Sequence, residues 1–212
     1  MVRRTREEAL QTRERILNAA IDVFHERGVA RPSLTDIAHL AGVTRGAVYG
    51  HFENKTDLFT ALVARVPLPA DVVCDADSNA CRRDPLGTLR ESWVGFLRQA
   101  ATNTEHHRIL EIIFHRCELV AESGLIQQRM HEGHTNSIAR MTELISAAVD
   151  KGQLPADLDV PRAVNLLHSS LIGILNEWLF EPEAYDLAAE AERFVDALLT
   201  MIATAPTLRR PA

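Results

Sequence analysis

The sequence predicts an all-α protein of about nine helices, on three observations. Apolar residues recur at the three-and-four spacing of a helix face from one end to the other, and no segment alternates as a half-buried strand does. Short polar caps precede several of these runs, at Thr5-x-x-Glu8, Ser33-x-x-Asp36 and Asn54-x-x-Asp57. Glycines follow the runs where a helix needs a left-handed stop, at Gly28 and Gly42.

Taken in order, the first helix spans about residues 5–27, with Ile16, Ala20, Val23 and Phe24 on its buried face. The second is a two-turn helix opened by Ser33, with Leu34, Ile37, Ala38 and Ala41 inward. Thr44 caps a third short helix whose Ala47, Val48 and Phe52 turn back on the first two. Asn54 then opens a fourth, carrying Leu58, Phe59, Leu62 and Val63. Pro67 and Pro69 interrupt it, and residues 71–83 read as a polar connection. Asp84-Pro85 restarts the helical pattern, with Leu86, Leu89, Trp93, Phe96 and Leu97 apolar. Further helices are expected at about 104–119, 123–151, 160–180 and 186–203.

Composition restricts the functional classes. The chain has 212 residues, 46% hydrophobic and 25% charged, and no apolar run approaches the roughly 18 residues that cross a bilayer. The basic start leads into a charged helix rather than a signal peptide, so a cytoplasmic location is expected. Cys74, Cys81 and Cys117 are an odd number and read as free thiols rather than a disulfide framework. The net charge of −6 is unevenly spread: residues 1–65 carry +2 and residues 66–212 carry −8. The N-terminal third is therefore the part suited to a polyanion.

That segment also has the proportions of a helix-turn-helix. Two short helices joined at Gly42-Val43-Thr44 place the second where it can enter a major groove, and Gly42 supplies the left-handed residue of the turn. Arg45 can meet guanine or phosphate, and Tyr49 and His51 can reach phosphate or base edges. Thr35, Thr44 and Lys55 lie near helix starts, where backbone amides favour phosphate. The expected partition is a DNA-binding domain at 1–65 and a second helical domain at 66–212.

The run Leu34-Thr-Asp-Ile-Ala-His-Leu-Ala-Gly-Val-Thr-Arg-Gly-Ala-Val-Tyr-Gly-His-Phe-Glu-Asn-Lys-Thr-Asp-Leu58 resembles the DNA-binding signature of TetR-family regulators. Arg3-Arg-Thr-Arg-Glu-Glu8, Asp84-Pro-Leu-Gly87 and Gly152-Gln-Leu-Pro155 resemble the AcrR and TtgR group of multidrug-efflux repressors. The resemblance implies a homodimer that binds palindromic operator DNA and leaves it when a small molecule occupies the C-terminal domain. It implies pocket positions at Phe96, Leu110, Phe114, Met141, Ile172 and Asn176, joined by His168; several of these are more apolar here than in that group, so a bulky and apolar effector is expected. It also implies dimerisation through the last two helices, which present Leu167, Leu171, Phe194 and Leu198. Gly50 departs from the group, which usually carries a bulky aromatic there.

Other classes find less support. His106, His107, His115, His131 and His134 raise a metal-responsive regulator or a histidine-based metalloenzyme, with His131 and His134 on one helical face. No cysteine or carboxylate completes a four-ligand pattern, so no metal and no cofactor is assigned. A phosphate-binding glycine loop, a nucleophile elbow and a zinc-protease helix are all missing, so no enzyme is expected. A constitutive DNA-binding protein without an effector is the remaining alternative.

Overall fold

The computed structural model describes residues 6–66, 82–117 and 124–211. Among the described residues it contains nine α-helices: α1 (Arg6–Arg27), α2 (Leu34–Leu40), α3 (Arg45–Tyr49), α4 (Lys55–Val63), α5 (Pro85–Thr102), α6 (Thr104–Glu111), α7 (Gly124–Asp150), α8 (Val160–Phe180) and α9 (Leu187–Thr204). A π-helical turn, Ile112–Arg116, extends α6, and a 3₁₀ turn, Pro206–Leu208, follows α9. No described residue lies in a sheet, and the one β-bridge among them pairs Leu158 with Arg209. No described helix is long and apolar enough to cross a membrane.

The caps account for most of the boundaries. Ser33 and Asp36 close a reciprocal box at α2, Asn54 accepts from the Asp57 amide at α4, and Asp84 accepts from the Gly87 amide ahead of Pro85. Asp159 and Asp186 cap α8 and α9 in the same way. Gly28 and Gly42 have φ of 76° and 64°, the left-handed stops expected of them. Thr5, Pro67, Pro69, Cys74 and Cys81, on which a cap, a helix break and two free thiols were read, lie outside the described residues.

The chain divides into two compact units: residues 1–66 with 105–130, and residues 67–104 with 131–212. In the first, Ile16, Leu17, Ala20 and Phe24 of α1 are buried with Ile37, Val48, Phe52, Leu58 and Leu62. Residues 105–116 join this core through Ile109, Leu110 and Ile112 and through polar ties to α1. Arg108 reaches Asp22 at 2.7 Å, His25 meets Glu111 at 2.7 Å, and the Val29 amide donates to the Arg116 carbonyl at 3.0 Å. In the second unit α5 packs along α9, and ion pairs from Arg90 to Asp196 and Arg98 to Glu192 close their exposed seam. Beside Arg90, the Asp196 and Glu192 carboxyls are held below their ordinary pKa by hydrogen bonds from these arginines.

Candidate nucleic-acid interface

Packing from α1 shapes the turn between α2 and α3. The Gly42 amide donates to His39 at 3.1 Å and the Val43 amide donates back to Ala38 at 3.0 Å, so the chain reverses within three residues. Arg15 of α1 then donates from Nη2 to the Ala41 carbonyl at 2.6 Å and to the Gly42 carbonyl at 3.2 Å. A guanidinium thus satisfies carbonyls that the end of α2 leaves open. A Cβ on residue 42 would stand 3.1 Å from Arg15 Nη2, so the glycine admits this arginine as well as the left-handed backbone. Sequence reasoning missed Arg15, because no local spacing connects it to a turn so far along the chain.

Thr44 begins α3 by accepting from the Ala47 amide at 3.2 Å, which removes its hydroxyl oxygen from simple exposure to a ligand. Val48 and Phe52 turn inward, and the Arg13 guanidinium lies 5.4 Å from the centre of the Phe52 ring. The opposite face carries Arg45 and Tyr49, one turn apart and both exposed. The Arg45 guanidinium lies over the Tyr49 ring at 5.3 Å, with Nη2 donating to the phenol oxygen at 3.4 Å. This pair offers a planar cationic fork held in one orientation by an aromatic ring. His51 is half-buried beside Phe52, and Thr35 is exposed in the first turn of α2.

Lys55 is used differently from the phosphate role read for it. Its ammonium donates to the Ala30 carbonyl at 2.5 Å and the Pro32 carbonyl at 3.2 Å, so two of its three donors hold the loop before α2 against α4. Gly50 is the C-cap of α3 at φ −73°, and a Cβ there would meet only carbonyl oxygens at 3.4 and 3.5 Å. The backbone does not require glycine at this position.

The residues read as effector contacts fall in both units. Leu110 is buried and Phe114 half-buried in the first, the latter on the π-helical turn. Phe96 of α5 and Met141 of α7 are buried in the second, while His168, Ile172 and Asn176 are half-buried along α8. Burial pushes the His168 imidazole below its ordinary pKa, and the neighbouring His134 adds to the effect. The two rings meet edge to face at 4.8 Å. Among the described residues no group of three or more His, Cys, Asp or Glu side chains is arranged to hold a metal ion. Cys117 is half-buried with its thiol 3.8 Å from Met130 Sδ, and burial raises its pKa.

Of the residues read as dimer contacts, Leu167 and Leu171 are 0 and 1% exposed within the single chain. Their surface is already consumed by the core of their own unit, which corrects the reading of them as partner contacts. Phe194 and Leu198 keep part of their surface, and α8 exposes Leu166 at 37% and Phe180 at 81%.

Comparison with known proteins agrees with this geometry. Residues 16–62 match the family described as bacterial regulatory proteins of the tetR family, and residues 84–204 match the C-terminal region of MAATS-type transcriptional repressors. The chain is 38% identical to the helix-turn-helix transcriptional regulator TtgR of Pseudomonas putida, over 99% of this chain and all of that one. It is 37% identical to the regulator AcrR of Shigella flexneri, over 100% of this chain and 99% of the relative. Among solved structures, the complex of SmeT with triclosan superposes with a TM-score of 0.81 at 31% identity, covering 95% of this chain and 99% of that chain. SmeT is described as the repressor of the Stenotrophomonas maltophilia multidrug efflux pump SmeDEF.

Proposed function

Because this chain belongs to the TetR family of transcriptional regulators, we propose that it represses a multidrug-efflux operon as a cytoplasmic homodimer released from DNA by a bulky apolar effector. The observation that carries this reading is the exposed Arg45–Tyr49 fork on α3, set on a turn that Gly42 and Arg15 shape for a major groove. Arg45 reads guanine edges or phosphate, Tyr49 orients it, and Thr35, Thr44 and His51 supply flanking contacts to the sugar-phosphate backbone. Two copies present two such helices, and a palindromic operator with half-sites about 34–36 Å apart accepts both.

Dimerisation follows from the apolar surface on the last helices. Leu166 and Phe180 of α8 and Phe194 and Leu198 of α9 retain area that a second copy would bury. The effector role rests on Phe96, Met141, His168, Ile172 and Asn176 of the second unit; Leu110 and Phe114, implied by the same resemblance, belong to the first. The mixture of buried apolar side chains and a few polar groups in the second unit suits a greasy ligand with limited polarity. A ligand releases DNA only if it binds the wrongly spaced dimer more tightly than the DNA-competent one.

The test is a gel-shift or anisotropy measurement with the purified protein and the DNA upstream of its own gene, titrated with triclosan. Sequence-specific binding that triclosan reverses supports the proposal. Equal affinity for upstream and random DNA would remove the repressor reading, and tight binding that no hydrophobic drug reverses would leave only a constitutive DNA-binding protein.

A further inference from the structure

Most cations of residues 6–66 are engaged within the protein. Arg13, Arg27 and Arg65 pair with carboxylates, Arg15 and Lys55 donate to backbone carbonyls, and Arg45 lies over the Tyr49 ring. Arg6 and Arg31 have no side-chain ion pair or hydrogen bond among the described residues. Arg6 opens α1, whereas Arg31 is exposed two residues before the Ser33 cap of α2. Lys55 holds the carbonyls of Ala30 and Pro32, one residue to either side, and Pro32 is buried. The backbone flanking Arg31 is thereby anchored, and its guanidinium is left on the surface.

Arg31 borders a concavity of about 430 Å³ between the end of α1 and the start of α2, shared with Glu26, Arg27 and Asp36. A second concavity, of about 320 Å³, includes the same three residues and continues along α2 past Thr35 and His39. Both acids are engaged: Glu26 meets Arg27 at 3.4 Å, and Asp36 closes the box with Ser33. Arg31 is therefore the cation of this groove that has no counter-ion among the described residues. In a helix-turn-helix the first helix crosses the sugar-phosphate backbone while the second enters the major groove. Here α2 is that first helix, and the groove follows it.

We propose that Arg31 binds a phosphate of the DNA strand that α2 crosses, a contact outside the two helices of the motif. The inference rests on the DNA-binding reading above and adds a residue that no helical period assigns, since Arg31 lies in the connection between α1 and α2. Its guanidinium offers a planar fork of N–H donors that matches two phosphate oxygens. A phosphate carries no sequence, so Arg31 strengthens binding to every DNA alike and leaves the reading of bases to Arg45.

The test follows binding of the full-length protein to its upstream DNA and to a random duplex of equal length, by anisotropy across a salt series. Arg31→Gln should reduce the slope of log affinity against log salt by about 0.9, the counterion release of one phosphate. Between about 50 and 200 mM salt the advantage of wild type should therefore shrink about threefold. At each salt the loss should agree on the two DNAs within about twofold. Arg31→Lys should restore the slope, because charge sets counterion release. Arg27→Gln removes the same charge from the same groove, but there Glu26 already pairs with it, so its slope should change by less than half as much. The urea midpoint of Arg31→Gln should stay at the wild-type value. An unmoved slope for Arg31→Gln, a change matched by Arg27→Gln, a lowered urea midpoint or a loss confined to upstream DNA each overturns the proposal. Absence of any DNA binding by the wild type overturns the DNA-binding reading and this contact with it, whereas wild-type binding with an unmoved slope overturns the contact alone.

Discussion

Gly42→Ala tests how the turn of the candidate DNA-binding element is made. Residue 42 sits at φ 64°, where placing an L-residue with a Cβ costs roughly 1–2 kcal/mol. The new Cβ would also stand 3.1 Å from Arg15 Nη2, so the guanidinium must shift by a few tenths of an ångström, which strains its bonds to the Ala41 and Gly42 carbonyls. Those bonds are partly solvent-exposed and screened, so their weakening adds at most about 1 kcal/mol rather than the full worth of a buried charged hydrogen bond. The expected destabilisation is about 1–3 kcal/mol in urea unfolding followed by circular dichroism. Operator affinity should fall by about tenfold or more, since α3 is aimed by this turn and about 1.4 kcal/mol is tenfold. Arg15→Ala should cost about 1 kcal/mol alone, and the double variant should cost less than the sum, because both changes disturb the same contacts. Gly42→Asn should cost less than Gly42→Ala, as asparagine tolerates the left-handed region. A Gly42→Ala protein within about 0.5 kcal/mol of wild type, the range of an ordinary surface change, would refute the reasoning.

The remaining expectations concern distinct surfaces. Arg45→Met should weaken operator binding by about 1–3 kcal/mol without changing the melting temperature, whereas Lys55→Met should destabilise the protein by about 1–2 kcal/mol by freeing the Ala30 and Pro32 carbonyls. The salt dependence of binding separates them: a Lys55 variant with a slope reduced by about 1 would restore a phosphate role to that lysine. In the proposed homodimer, Leu198→Glu should cost several kcal/mol of association and yield monomer in sedimentation; a dimer that persists in both Leu198→Glu and Phe194→Glu would place the interface elsewhere. The Asp36 carboxyl is held below its ordinary value mainly by the Ser33 hydroxyl and amide, so its pKa is lower in the folded chain. Its stabilisation is then complete above the ordinary carboxylate range and is lost as pH falls through the lowered folded value. The stability difference between wild type and Asp36→Asn should accordingly shrink below about pH 4, and a difference that grows on acidification would contradict the capping box.

The sequence alone determined the features that live within one or two helical turns. Ser33, Asn54 and Asp84 announced three helix starts, and Gly28 and Gly42 two left-handed stops, because a cap and its target amide are separated by only a few residues. The exposed faces of Arg45 and Tyr49 were legible for the same reason, since helical period assigns a side to each residue. Tertiary structure decided what depends on residues distant along the chain. It brought Arg15 to the turn at Gly42, committed Lys55 to the loop before α2, and returned residues 105–116 to Asp22 and His25 of α1 and to Val29 just beyond it. It also decided which apolar residues remain available: Leu167 and Phe194 look alike in a helical pattern, yet the first is consumed by its own core and the second keeps surface. Hydrophobic period states that a residue turns inward; only the packed neighbours determine whether its surface is already filled.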